Sequence, residues 1–242
     1  MLHKSKAIVL HTIKYKDNSI IAYCYSEAFG RISFMVNGAF GKGKQPGKAV
    51  YFQPFAILDL VFYRKTVADL CRLKEVAVAL NQSTLPFNPV KRSIALFLSE
   101  VVYRTVKEEE PNPVFYNFLE SSIHLLDILQ SGEANFHLIF LMQHSRQLGF
   151  FPSNLWTDVA KYFDYKNGTF VAQPPQHNFY LEPDISKLIS DVIDTPFYKV
   201  DDLSLNHKQR VQIINGILRY YRFHLGSSLE FNSLAVLQQL FE

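Results

Sequence analysis

Lys14-Tyr15-Lys16 sets an aromatic ring between two ammonium groups, and further along Phe40 stands beside Lys42, Lys44 and Lys48 in a glycine-rich stretch. With Arg31, these side chains offer what a nucleic-acid strand needs: cations for its phosphates and ring faces on which bases stack, at ~1–3 kcal/mol per base. Each phosphate neutralised on a single strand adds ~0.7 to the salt slope of binding. Tyr23, Tyr25, Phe34 and Phe52 fall at strand spacing and read as core instead.

The residue patterns of catalysis are missing. Gly38 and Gly43 have the separation of a phosphate loop, but Lys44 is followed by Gln45, so no hydroxyl stands ready for magnesium. His137 and His144 are about two helical turns apart, wider than the i, i+4 pair that grips zinc, and read as packed or surface side chains. Glu108-Glu109-Glu110 directly precedes Pro111 and reads as solvated acids at a helix end. Ser99 and Ser121-Ser122 lack the Gly-x-Ser-x-Gly elbow of a hydrolase. Cys24 and Cys71 lie in apolar runs and read as buried reduced thiols, too few for a disulfide framework or a four-thiolate zinc site. The expectation is a non-enzymatic protein without metal or cofactor. A metal-dependent nuclease stands as the enzymatic alternative.

The elements that position these groups follow from composition and periodicity. The chain has 242 residues, 48% hydrophobic and 19% charged, with 21 Phe and 13 Tyr, which is ample packing material for one or two domains. No apolar run approaches the ~18 residues of a spanning helix, and Met1 to Lys6 leads into no leader-like apolar core, which predicts a cytoplasmic protein. The net charge of +3 is unevenly spread. Residues 1–80 hold 12 Lys and Arg against five Asp and Glu, a balance of +7, while the remainder balances at −4. Such a split assigns a polyanion partner to the first third.

Alternation dominates that third, at Ala7 to His11, Ile20 to Tyr25, Ile32 to Val36, Phe55 to Tyr63, Val67 to Leu73 and Glu75 to Leu80, with turns at Lys16-Asp17-Asn18, Phe29-Gly30 and Tyr63-Arg64-Lys65. Five or six short strands in about 80 residues predict a small closed barrel. The segment from Asn37 to Lys48, with four glycines and three lysines, predicts an exposed mobile loop. After Pro86 and Pro89 the period changes to 3.6. Val90, Ile94, Phe97, Leu98, Val101, Val102 and Thr105 share one helical face, with Lys91, Arg92, Glu100 and Arg104 mostly off it. Further helices are expected at Phe115 to Leu129, Leu138 to Leu148, Ile185 to Ile193, His207 to Leu225 and Leu234 to Phe241, and a hairpin around Asn167-Gly168. The fold expected is thus α+β, with a barrel at 1–80 and a helical domain at 81–242 carrying a β-hairpin insertion at about 154–183.

Several pieces together resemble the bacterial recombination mediator RecO family. They are Ala7-Ile8-Val9-Leu10-His11-Thr12, Ser26-Glu27 with Phe29-Gly30-Arg31, Gly38-Ala39 with its basic loop, Gln53-Pro54-Phe55, Glu110-Pro111-Asn112-Pro113 with Phe115, and Leu148-Gly149-Phe150 with Pro152. The resemblance spans residues 6–152 and is general helical character thereafter. It implies an N-terminal OB-fold barrel and a helical domain. It also implies DNA repair through binding of single- and double-stranded DNA and annealing of complementary strands. The implied partners are RecR and the acidic C-terminal tail of the single-stranded-DNA-binding protein SSB, with RecA loaded indirectly on SSB-coated DNA. The cysteines that hold zinc in many members have no counterpart in 152–183, so the hairpin must hold itself by packing. The family's Arg-rich start of the helix before Leu148 is replaced by Phe136-His137-Leu138-Ile139. Arg92, Arg104, Arg146, Arg219 and Arg222 are the helical cations available to an acidic tail. The competing reading is an RNA- or protein-binding OB-fold adaptor without annealing activity.

Overall fold

The alternating segments become β1 (Leu2–Tyr15), β2 (Ser19–Ser26), β3 (Gly30–Asn37), β4 (Ile57–Tyr63) and β5 (Cys71–Val78) in a computed structural model that describes residues 1–41, 46–64 and 70–239. The strands close into a barrel in the order β1-β2-β3-β5-β4. β3 meets β5 in a short parallel seam at Phe34↔Cys71 and Met35↔Arg72. This is OB topology, as the resemblance implies. Closure rests on the length of β1. Its Leu2 to Ile8 pair with β4 while its Ala7 to Tyr15 pair with β2, and a register shift between Val9 and His11 bends it between the two. The sequence suggests a break near Lys74, yet β5 runs through it as one strand.

Every second side chain fills the barrel: Val9, Ala22, Cys24, Phe34, Leu60, Phe62 and Cys71 are all buried. Phe34 meets Phe62 edge to face at 4.9 Å between centroids. Phe52 is in the same core. Tyr25 is also buried, but in the outward phase, where Phe115 meets it edge-on at 4.9 Å. Burial pushes the Cys24 thiol up, so it stays protonated.

Two helices complete the compact unit Met1–Ile128, α1 (Pro89–Thr105) and α2 (Pro113–Ile128). Asn88 caps α1 by accepting from the amides of Val90 and Lys91 at 2.9 and 3.2 Å, with Pro89 opening the helix. Ile94, Phe97, Leu98, Val101 and Val102 are fully buried, the face that the periodicity predicts. Lys91 departs from that pattern and is buried too. Its ammonium donates to Thr84 Oγ1 at 2.7 Å and to the carbonyl of Asp127 at 2.8 Å. The Asp127 carboxylate, at the end of α2, receives the amides of Ser83, Thr84 and Leu85 at 2.8, 2.8 and 2.7 Å and the Ser83 hydroxyl at 3.1 Å. The segment leaving the barrel is thereby knotted to the second helix.

The second compact unit, Leu129–Glu242, contains α3 (Glu133–Gln147), α4 (Pro183–Asp194), α5 (His207–Leu225) and α6 (Leu234–Gln239). Between α3 and α4 lies a small sheet of β6 (Tyr162–Asp164), β7 (Thr169–Val171) and β8 (Tyr180–Leu181) in the order β7-β6-β8. Gly168, at φ 58°, makes the expected turn between β6 and β7. The third strand has only two residues and carries no sequence signal of its own. Phe163, Tyr165 and Phe170 of this region are buried, and Phe163 and Tyr165 lie 5.2 and 5.7 Å from the Tyr220 ring of α5. Asn206 and Gln209 form a capping box that starts α5.

The Asp127 knot makes acid stability a readout of the first unit. Burial by itself would raise the carboxyl pKa, but the amide and hydroxyl donors outweigh it and hold it below the ordinary value. A depressed carboxyl contributes stability that is present above its unfolded pKa of about 3.9 and is lost as pH falls through the folded value. Asp127→Asn, which turns an amide donor toward backbone donors, should cost about 3 kcal/mol at neutral pH. Denaturant titrations from about pH 6 to 2 should show this cost shrinking below about pH 4.

Candidate nucleic-acid interface

The turn between β1 and β2 and the chain leaving β3 are held together by Asn18. Its carbonyl accepts from the amides of Gly38 and Ala39 at 2.9 and 3.2 Å, and its Oδ1 accepts from the amide of Phe40 at 2.9 Å. Ser19 Oγ donates to Asn37 Oδ1 at 3.1 Å beside them. The loop then returns, with the Lys48 amide donating to the Gly38 carbonyl at 3.0 Å at the start of a short 3-10 helix, Lys48–Tyr51. A side chain at Gly47 would sit 2.0 Å from the Ala39 carbonyl oxygen, so this close approach requires glycine.

These contacts gather Lys14, Tyr15, Lys16, Phe40 and Lys48 at one end of the barrel. Tyr15 and Phe40 are 38% and 42% exposed, unusual for large rings that could have packed inward. The Lys14 ammonium lies 5.8 Å from the Phe40 centroid, and that of Lys16 lies 5.3 Å from the Tyr15 centroid. Two exposed rings flanked by ammonium groups present bases with a stacking face and phosphates with a cation. Lys42 and Lys44 lie outside the described residues.

Arg31 is placed differently. Its Nη1 donates to the carbonyl of Tyr103 at 2.8 Å and to that of Val106, and its guanidinium lies 4.6 Å from the Tyr103 ring centroid. Its own amide donates to the Glu108 carbonyl at 3.0 Å, and at Gly30 an added Cβ would lie 2.2 Å from the carbonyl oxygen of Glu110. The guanidinium thus holds the end of α1 against β3. The acidic run contributes its backbone here, while its three side chains are solvated.

Strand register reveals a further row that periodicity alone left unnoticed. Ile13 pairs with Ile21, Ile21 with Met35, Met35 with Arg72, and Arg72 with Tyr63, all on the outward face. Ile13 and Tyr63 are exposed, Arg72 is exposed, and Ile21 and Met35 are half-buried. The signal was available: Met35 stands out of phase with core residues Phe34 and Val36, at a position where a polar side chain is ordinary. The other outward row, His11↔Tyr23↔Ser33, is capped by Tyr103, whose ring lies 4.7 Å from His11 and 5.0 Å from Tyr23. Burial lowers the His11 pKa, with Glu100 opposing and Arg104 assisting. An apolar strip with Arg72 beside it therefore remains open next to the Tyr15 row, on the strand face that OB folds use for oligonucleotides.

The other candidates are histidines of the second unit and arginines of both. Burial, aided at His137 by Arg210, lowers the pKa of His137 and His144 to about 3, which keeps both imidazoles neutral. Among the described residues no three His, Cys, Asp or Glu side chains converge as a metal site. In the turn of the small sheet, Asp164 accepts from the amide of Lys166 at 2.9 Å and the Asn167 side chain at 2.7 Å. Of the arginines considered for an acidic tail, Arg104 is paired with Glu100 at 2.8 Å, Arg222 Nε donates to the Leu229 carbonyl at 2.9 Å, and Arg146 covers the Phe151 ring at 3.6 Å. Arg219 lies 5.7 Å from the Tyr165 centroid, and Arg92 is exposed.

Family models and known proteins match the chain over nearly its whole length. Residues 1–81 match the family described as recombination protein O N terminal, and residues 86–233 match recombination protein O C terminal. The DNA repair protein RecO of Bacteroides fragilis is 37% identical, with all of both chains covered. That of Azobacteroides pseudotrichonymphae is 33% identical over all of both chains. The Flavobacterium psychrophilum protein of the same name is 34% identical over 98% of each.

The different placements of Arg31 and the lysines separate experimentally. Lys14→Ala and Lys16→Ala should each reduce the salt slope of single-strand binding by about 0.7 without loss of stability. Arg31→Ala should leave the slope alone and cost about 2 kcal/mol in thermal or denaturant unfolding. A reduced slope with unchanged stability for Arg31→Ala would contradict its assignment as a clamp.

Proposed function

This chain belongs to the RecO family of DNA repair proteins, and we propose that it works there as a non-enzymatic strand annealer that holds DNA on the open end and outward face of its barrel. The cluster of Lys14, Tyr15, Lys16, Phe40 and Lys48 carries this reading, because loops distant in sequence bring rings and cations together at one place. Lys42 and Lys44 follow Phe40 closely in the sequence. In this reading Arg72, Met35 and Tyr63 continue the path along the strands.

Annealing asks that phosphate repulsion be neutralised while base edges stay free to pair. Ammonium groups on backbone phosphates and rings against base faces do this without reading sequence, so binding is unspecific and steeply dependent on salt. In the proposed pathway the protein acts on SSB-coated single strands, contacts the SSB tail and RecR, and so helps RecA load. The exposed Arg92 is one cation offered to an acidic tail. No helix among the described residues is long and apolar enough to cross a membrane.

The test is annealing of complementary oligonucleotides, bare and SSB-coated, with the intact protein and with the triple variant Lys14→Ala/Lys16→Ala/Lys48→Ala. The intact protein should accelerate both reactions. Three lost phosphate contacts should weaken single-strand affinity about 100-fold at about 0.1 M salt, with annealing slowed accordingly. No acceleration by the intact protein on either substrate would remove the annealing reading and leave an RNA- or protein-binding adaptor ahead.

A further inference from the structure

We infer that Asn18 is a positioning residue for the stacking ring of this site, an inference that rests on the DNA-binding reading above. Three successive amides of the chain leaving β3 end on this one residue: those of Gly38 and Ala39 on its carbonyl, and that of Phe40 on its side-chain Oδ1 at 2.9 Å. Any residue at position 18 supplies the carbonyl. Only a side chain of this length with an acceptor oxygen supplies the third bond.

Gly38, at φ 69°, turns the chain so that the amides that follow face the β1–β2 turn. The bond to Asn18 then fixes the backbone directly beneath an outward ring, with the Lys14 ammonium alongside at 5.8 Å. Because Asn18 sits in the turn that follows Tyr15 and Lys16, one side chain sets both halves of the cluster in register. A ring held this way is ordered before a strand arrives, so less affinity is lost to ordering it on binding.

The experiment compares Asn18→Ala, Phe40→Ala and the double variant for binding to oligothymidine and to an abasic strand of equal length. Asn18→Ala should weaken oligothymidine binding about fivefold, one hydrogen bond's equivalent, and leave abasic binding and the salt slope unchanged. In the Phe40→Ala background the same substitution should add nothing, because it acts through that ring. Amide exchange at Phe40 should quicken. If Asn18→Ala lowers the thermal midpoint, Asn18→Asp decides instead: it keeps the acceptor oxygen, so the ratio of oligothymidine to abasic affinity should be retained while its charge weakens both alike. Equal weakening of both strands by Asn18→Ala at an unchanged midpoint, or loss of the ratio in Asn18→Asp, or additivity with Phe40→Ala, would overturn the inference. If Phe40→Ala itself leaves oligothymidine binding unchanged, the proposed stacking site falls, and this inference with it.

Discussion

A five-stranded barrel closes only if every strand pairs along both edges, and here the long β1 makes the closing link between β4 and β2. Its fourteen residues divide between β4 and β2, and the register shift at Val9 to His11 lets it turn from one partner toward the other. Closure satisfies the backbone donors and acceptors that an open sheet would leave at its edges. It also fixes phase all round the barrel: once Ala22 and Phe34 point inward, Ile21 and Met35 beside them must point outward, and the register shift after Val9 turns Ile13 outward to match. The candidate interface is a consequence of that phase, together with the loops at the same end.

Within the first unit, two polar anchors attach the helices to the barrel. Asp127 gathers the amides of residues 83–85, and Lys91 sits against the carbonyl of the same residue. Arg31 holds the far end of α1 by its carbonyls. Both use a charged group to meet backbone atoms that would otherwise be buried without partners, which is costly in a low-dielectric interior. Through the second anchor Tyr103 covers His11 and Tyr23, so α1 decides which part of the outward strand face stays open.

The cations of the chain thus divide by what they face. Arg31 and Lys91 meet carbonyl oxygens and serve the fold. Lys14 and Lys16 lie over exposed rings, where an ammonium remains hydrated and can exchange water for a phosphate. A charge count treats all four alike.

Periodicity determined a good deal of this. The amphipathic face of α1, the course of α5 over His207–Leu225 and the turn at Asn167-Gly168 were legible because each depends on neighbours within a few residues. The barrel was legible as a class from closely spaced strands, and the charge split marked the first third as the basic module. What sequence could not supply was partnership across distance. Lys91 falls on a polar position of its helix until the Asp127 carbonyl is placed above it. Arg31 reads as one more cation until Tyr103 and Val106 arrive from 70 residues away or more. Alternation puts Met35 outside, but only its pairing with Ile21 and Arg72 shows that it joins an apolar strip there. Local spacing fixes which way a side chain leaves its own strand or helix; only the closed fold decides what it meets there.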